Sequence, residues 1–469
     1  MPRTANALLD RLTNLLGPDA VGRRSAERRF FAQDALGSRA AASEAAVPLA
    51  VVRPATAEEV AGVLALASEA GVPVVAYGAG TGLMGGARSL RPGLVLDTVN
   101  LNQIDVHPAD RLVWAGAGSI LADVDSALRQ HDLCLGHDPW TFPVASVGGP
   151  LSTNGLGYKG GRYGGMGDQT LALEVALADG TLLRTKALRR HSTGPDLARL
   201  FIGAEGTLGV ITAAALRAYP IPERQELRAF RFRRFEDGFA AVDALTALGL
   251  RPSLLEYSEE HASPWPELST REEEPPLLYL GFEGFAEEVE ASLSRAERIA
   301  AGHGATPLPQ QQVEDFWAER HIIAERFARN RGNRRRRNGW GDPGLVRDYI
   351  HVSLPPSKVL EFRDICHRQP SRQGAVLFEC ALWTGPDCFS AVLATPTADG
   401  GQERLQGVID ALLMSCQDLG GSMEYVHGAG LRLAHLMPRE HAEGGFDLLQ
   451  RLKRALDPEA ILNPGKLGL

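Results

Sequence analysis

Apolar residues recur at helical spacing from the start of the chain, where Leu8, Leu9, Leu12, Leu15 and Leu16 are interrupted by Asp10 and Arg11. This predicts an amphipathic helix rather than an uninterrupted secretory h-region. An apolar run at 47–52 predicts a strand, and Thr56-Ala-Glu-Glu59 reads as a capping box. Val60, Leu64 and Ala67 then share one helical face until Gly71, and residues 72–77 form a second apolar run. The result is a β-α-β unit with a right-handed crossover. Further strands are expected at 94–99 and 112–115, a helix at 121–130, and a hairpin of 171–177 with 182–185 around Asp179-Gly180. Tyr219-Pro-Ile-Pro222 reads as a boundary. Beyond it, strand and helix patterns alternate (230–232, 239–248, 277–282, 287–301), which predicts an α+β unit on an antiparallel sheet. An amphipathic helix at 444–456 precedes Ile461-Leu-Asn-Pro-Gly-Lys466.

Composition narrows the class. The 469 residues are 44% hydrophobic and 23% charged, and 57 acidic against 49 basic side chains leave a net charge of −8. A dedicated nucleic-acid binder would need clustered cations instead. No apolar run approaches the length of about 18 residues that a membrane helix needs. The five cysteines are scattered without a CxxC pair, which argues against a disulfide scaffold or a cysteine metal cluster. A reduced, cytoplasmic setting is the expectation.

The 51 glycines, about 11% of the chain against a usual ~7%, are clustered. Tyr77-Gly-Ala-Gly-Thr-Gly-Leu-Met-Gly-Gly86 packs five glycines into nine residues, enough to turn successive N–H groups toward phosphate oxygens. It contains a GxGxxG match, yet Arg91-Pro92-Gly93 and a strand follow where a dinucleotide fold would open a helix. A second cluster runs over 143–163, mixing small residues with Ser146, Ser152, Thr153 and Asn154. Val144, Val147 and Leu151 in it predict a packed segment. The third is Phe201-Ile-Gly-Ala-Glu-Gly-Thr-Leu-Gly-Val-Ile-Thr212.

In this order and spacing the three clusters resemble the FAD-linked oxidase superfamily of vanillyl-alcohol oxidase and p-cresol methylhydroxylase. Within it they are most similar to the group of D-2-hydroxyacid dehydrogenases, glycolate oxidase flavin subunits and alkylglycerone-phosphate synthases. The resemblance implies an α+β fold: a two-subdomain FAD-binding domain of the p-cresol methylhydroxylase type, an inserted α+β cap, and a C-terminal segment returning to the first domain. The expected divisions are an N-terminal helical segment (1–44), the FAD domain (45–222), the cap (223–425) and the return segment (426–469). It further implies FAD bound by Gly78, Ala79, Gly80, Thr81, Gly82, Ser146, Gly149, Ser152, Asn154, Gly157, Glu205, Gly209, Ile211 and Asn463. The glycine loop holds no His or Cys to link the flavin, so a dissociable cofactor is expected, with His137 the alternative point of attachment.

Oxidising a 2-hydroxy acid needs a base for the hydroxyl proton, and a histidine suits that task near neutral pH. In Glu424-Tyr-Val-His-Gly-Ala-Gly430 the resemblance points to His427, assisted by Tyr425 or Glu424. It also points to Arg320, in Phe316-Trp-Ala-Glu-Arg320, as the bidentate grip on a small anionic substrate. His351 is unexpected in the Tyr349-Ile-His-Val-Ser-Leu-Pro355 segment. Residues 376–384 lack the histidines by which relatives bind a metal, so no metal is expected. Seven arginines in 326–337 suggest a solvated loop, an electrostatic lid or a docking patch. The alternatives left open are flavin-assisted transfer without net oxidation, as in alkylglycerone-phosphate synthases, and oxidation of another alcohol. The sequence does not specify the electron acceptor, and a homodimer is compatible with it.

Overall fold

The computed structural model describes residues 3–36, 47–265, 267–270, 272–330 and 344–469. Of the seven-arginine run only Arg326 and Arg329 fall on described residues, in the helix Ile322–Asn330. Positions 331–337 lie outside them, as do 37–44 of the N-terminal segment.

Three sheets organise the described residues. The first has four strands, β1 (Val21–Gly22), β2 (Ala50–Val52), β3 (Val74–Tyr77) and β4 (Leu94–Asp97), in the order β1-β2-β4-β3. β2 and β3 each pair in parallel with β4, so the strand after the glycine loop enters between the two arms of the expected β-α-β unit. The connecting helix Ala57–Glu69 starts as predicted, with Thr56 Oγ1 accepting the Glu59 N–H at 3.2 Å. The reciprocal arm differs from a capping box, because Glu59 Oε2 accepts from Ala55 N rather than Thr56 N. Leu8, Leu9 and Leu12 of the first helix, Arg3–Leu16, are buried with Val60, Val63 and Leu64. Ile461 and Leu462 join the same core, and Leu462 pairs in parallel with Val74 at the β3 edge.

The second sheet comprises β5 (Ile104–His107), β6 (Leu112–Gly116), β7 (Leu133–Leu135), β8 (Thr170–Ala176), β9 (Leu182–Arg184) and β10 (Val210–Pro220). The order is β5-β6-β10-β8-β9 with β7 also on β10, all antiparallel, and β8 and β9 form the expected hairpin. Val147 and Leu151 of the second glycine cluster are buried in its core, so that segment is packed as predicted. It is not all loop: the short helices Gly148–Thr153 and Gly160–Tyr163 form within it.

The third sheet is antiparallel, with seven strands: β11 (Arg224–Arg231), β12 (Leu254–Glu260), β13 (Glu274–Gly284), β14 (Thr306–Pro307), β15 (Leu345–Ser353), β16 (Val376–Trp383) and β17 (Cys388–Pro396). Its order is β14-β11-β13-β12-β16-β17-β15. Helices Phe235–Ala247, Ala286–Gly302, Pro356–Ser371 and Gly401–Asp418 bury Val242, Val289, Phe362 and Val408 against it. Met84 of the glycine loop and Ala429 belong to this same core, which carries packing from the sheet to the glycine-rich turns. All five cysteines are free, and among the described residues no helix is long and apolar enough to cross a membrane.

Candidate active site

No helix opens after β3: residues 78–93 form bends and turns, as the sequence predicts. Ala79 donates its N–H to Ser146 Oγ at 3.2 Å, tying the first glycine cluster to the second. Gly80 adopts φ +69°, and a Cβ there would overlap the Tyr77 hydroxyl, which itself donates to Gln33 O at 2.9 Å. Gly82 and Gly149, one on each cluster, differ: a Cβ on either would meet nothing within 4 Å.

The third cluster supplies a hub. Glu205, at φ +49°, is buried, and its Oε1 accepts N–H bonds from Ala429 at 2.8 Å and Gly430 at 2.9 Å. Burial pushes its carboxyl up to about 7, against the pull of those two amides and of Lys466. Asn463 Nδ2 donates to Gly86 O (2.9 Å) and Glu205 O (2.6 Å), and Lys466 Nζ donates to Arg88 O. One acidic side chain and the return segment thus hold the glycine loop against the turn that carries His427. Glu205→Ala would leave two buried N–H groups unpaired, at about 1–3 kcal/mol each. The expected loss is about 2–6 kcal/mol, read from urea midpoints, while Glu205→Gln keeps an acceptor and loses much less.

On that turn Glu424 Oε1 accepts from Val426 N (2.9 Å) and His427 N (3.0 Å) and lies 3.6 Å from His427 Nδ1. Burial pushes the Glu424 carboxyl up, but His427 and His351 hold it below the usual carboxylate range. His351 reaches the group because β15 runs beside the 422–424 segment, with His351 bridged to Glu424. The rings of His351 and His427 meet edge to face at 4.7 Å, and Tyr349 lies 5.6 Å from His427. Burial, with His427 close by, pushes His351 down to about 3. Tyr425 packs 5.7 Å from His351, and burial drives its hydroxyl well up.

Arg320 makes its contacts with a different group of side chains. Its Nε donates to Asp138 Oδ2 at 3.1 Å, its Nη1 to Trp317 O at 2.6 Å, and its guanidinium covers the Trp317 ring at 4.0 Å. His321 Nε2 holds the other Asp138 oxygen at 2.7 Å. Burial raises the Asp138 carboxyl, but His321 and Arg320 keep it below its ordinary range. None of these contacts joins the His427 group. Beside them His137 is 1% exposed with neither ring nitrogen hydrogen-bonded among the described residues, and burial pushes it down to about 4. Unfolded, it takes a proton below about 6.5, so the unfolded chain binds more protons in the window from 6.5 to 4. Stability is expected to fall as pH drops through that window, by up to about 1.4 kcal/mol per pH unit. His137→Leu should flatten the fall, measured as urea midpoints at neutral and mildly acidic pH.

The other expected site residues divide by contact. Ser152 Oγ donates to Gly148 O (2.7 Å) and Asn154 Oδ1 accepts from Gly167 N (3.0 Å), so both hold their own segment in shape. Gly157 makes room for the Asp138 backbone and Gly209 for Val175 and Phe201, while Ile211 is buried in β10. Sequence reasoning overlooked Asp138, His321 and the joining of His351 to His427. Ligand atoms of His351, Glu424 and His427 lie within 4.8 Å of one another, as do those of Glu259, His261, His367 and Cys380.

Residues 48–186 match the family described as FAD binding domain, and residues 221–467, more than half of the chain, match the C-terminal domain of FAD linked oxidases. The chain belongs to the FAD-linked oxidases. It is 31% identical to a D-lactate dehydrogenase of Archaeoglobus fulgidus over 91% of this chain and 93% of that one. It is 26% identical to the glycolate oxidase subunit GlcD of Bacillus subtilis, over 98% and 96%. The solved structure of p-cresol methylhydroxylase with substrate bound shares its fold, with a TM-score of 0.79 at 18% identity over 100% of this chain and 98% of that one. This FAD-linked oxidase is therefore an FAD-dependent oxidoreductase. Its residues fit the cofactor. Unobstructed backbone at Gly82 and Gly149 leaves room for a bulky anion, and the buried Asn463 Oδ1 beside the glycine loop has no partner among the described residues.

Proposed function

We propose that this FAD-linked oxidase oxidises the C–OH carbon of a small 2-hydroxy acid. FAD, when bound, supplies the hydride acceptor. In this reading the two glycine clusters hold the cofactor, with Gly78, Ala79, Gly80, Thr81 and Gly82 on one side and the segment from Ser146 to Gly157 on the other. His427 Nε2 takes the substrate hydroxyl proton. Glu424 faces the opposite ring nitrogen as a carboxylate, so the positive charge that His427 gains is compensated. His351, kept neutral by burial, lines the base without competing with it for that proton. Arg320 would orient the substrate's acid through Nη2, which makes no hydrogen bond among the described residues.

The observation that carries this reading is the placement of His427 on the Gly428-Ala-Gly430 turn, fastened to Glu205 in the third glycine cluster. The likeness to a D-lactate dehydrogenase and a glycolate oxidase subunit supports the substrate class. The test is anaerobic titration of the yellow protein with glycolate, both lactates and D-2-hydroxyglutarate, reading the visible flavin band. Bleaching by one of them is expected. No bleaching by any of these, with exchange of an acyl chain for an alcohol on a dihydroxyacetone phosphate, would replace the proposal by transfer chemistry.

A further inference from the structure

Glu259 and Cys380 stand opposite each other on the paired strands β12 and β16. Directly opposite residues of an antiparallel pair present their side chains on one face. His261 follows β12, and His367 comes from helix Pro356–Ser371, which packs on β16. Glu259 Oε1 lies 3.0 Å from Cys380 Sγ, 3.7 Å from His261 Nε2 and 3.8 Å from His367 Nε2, and all four ligand atoms are within 4.8 Å of one another. The edges of a tetrahedron with Zn–N of about 2.0–2.1 Å and Zn–S of about 2.3 Å are about 3.3–3.8 Å. Both Nε2 atoms are shielded from solvent and make no hydrogen bond among the described residues, and the two rings meet at 4.8 Å. Thiolate, two imidazoles and a carboxylate are a donor set suited to a borderline-soft dication.

The charges agree. Arg363 donates to Glu259 Oε1 from Nε (2.7 Å) and Nη2 (2.6 Å), and to Glu236 Oε1 from Nη1 (3.1 Å). Two carboxylates against one guanidinium leave one negative charge. A dication that displaces the Cys380 proton to solvent adds one positive charge and cancels it. Arg363 then orients the ligating carboxylate through its two bonds to Oε1. A cavity of about 500 Å³, lined by Glu259, His261, Glu236 and Arg363, provides the entry path.

We propose that Glu259, His261, His367 and Cys380 form a closed, four-ligand structural zinc site. It pins helix Pro356–Ser371 to β12 and β16 and shares no residue with the flavin site. Holoenzyme dialysed against zinc and then against buffer is expected to retain a thiolate-bound equivalent per chain. Cobalt exchanged into the holoenzyme should give a sulfur-to-metal charge-transfer band in the near ultraviolet and tetrahedral bands in the red, beyond flavin absorption. Cys380→Ser should remove the charge-transfer band, and His367→Ala should lose one metal equivalent while the protein stays yellow. The trio His351, Glu424 and His427 has no sulfur, so metal held there gives no such band. Cobalt-loaded wild type without the sulfur band would overturn the proposal even if neither variant folds. So would metal content unchanged in a folded His367→Ala protein.

Discussion

Gly82→Val is expected to give a folded but colourless protein. Gly82 does not adopt the left-handed conformation, and a Cβ there meets no protein atom within 4 Å, so the substitution leaves the apoprotein unstrained. The same open space is where FAD would lie against the loop in the proposed reading. Overpacking a fitted contact costs about 1–3 kcal/mol. That corresponds to about five- to 150-fold weaker FAD retention. The ratio of visible to ultraviolet absorbance after gel filtration measures it, and an unchanged melting temperature of the apoprotein shows that the fold survives. Gly80→Val should behave differently. Position 80 needs a positive φ, which a β-branched residue resists, and the new side chain would strike Tyr77, held by Gln33. That variant loses stability as well as colour. A yellow Gly82→Val protein with wild-type affinity would remove the first glycine cluster from the cofactor site.

The second large effect is expected at His427. His427→Asn should keep the FAD spectrum, because Glu424 is held by the backbone N–H groups of Val426 and His427, which the substitution leaves in place. Without the base, the rate of flavin bleaching by a 2-hydroxy acid should drop about 10²–10⁴-fold. Stopped-flow reduction under anaerobic conditions reads this step apart from reoxidation. His351→Asn, by contrast, alters a neighbour of the base, and a smaller fall is expected. If His427→Asn is reduced as fast as wild type, the proton goes to another group.

Local signals were legible where residues close in sequence make the structure. Thr56 caps its helix, Asp179-Gly180 turns the β8–β9 hairpin, and the glycine loop forms with no helix behind it. The strands β15 to β17 were harder to read. Their apolar runs do not say that β15 pairs with β17 rather than β16. Helix Pro356–Ser371 was missed. The site was half legible for the same reason. Glu205 and His427 announce themselves by flanking glycines, but His351 reaches His427 only through a bridge between distant segments. Asp138 is marked by nothing local, since its partners Arg320 and His321 lie more than 180 positions later. The ligand set 259, 261, 367 and 380 has no spacing that a sequence motif could capture.

The clasp formed by the return segment bears on biogenesis. Asn463 grips Gly86 across 377 positions, and Leu462 extends the edge of β3. Multidomain chains ordinarily fold their leading portion first, while synthesis continues. Here the leading portion lacks its bond to Asn463 and the bridge from Leu462 to β3 until the return segment has been synthesised, so the first sheet and the glycine loop are completed late.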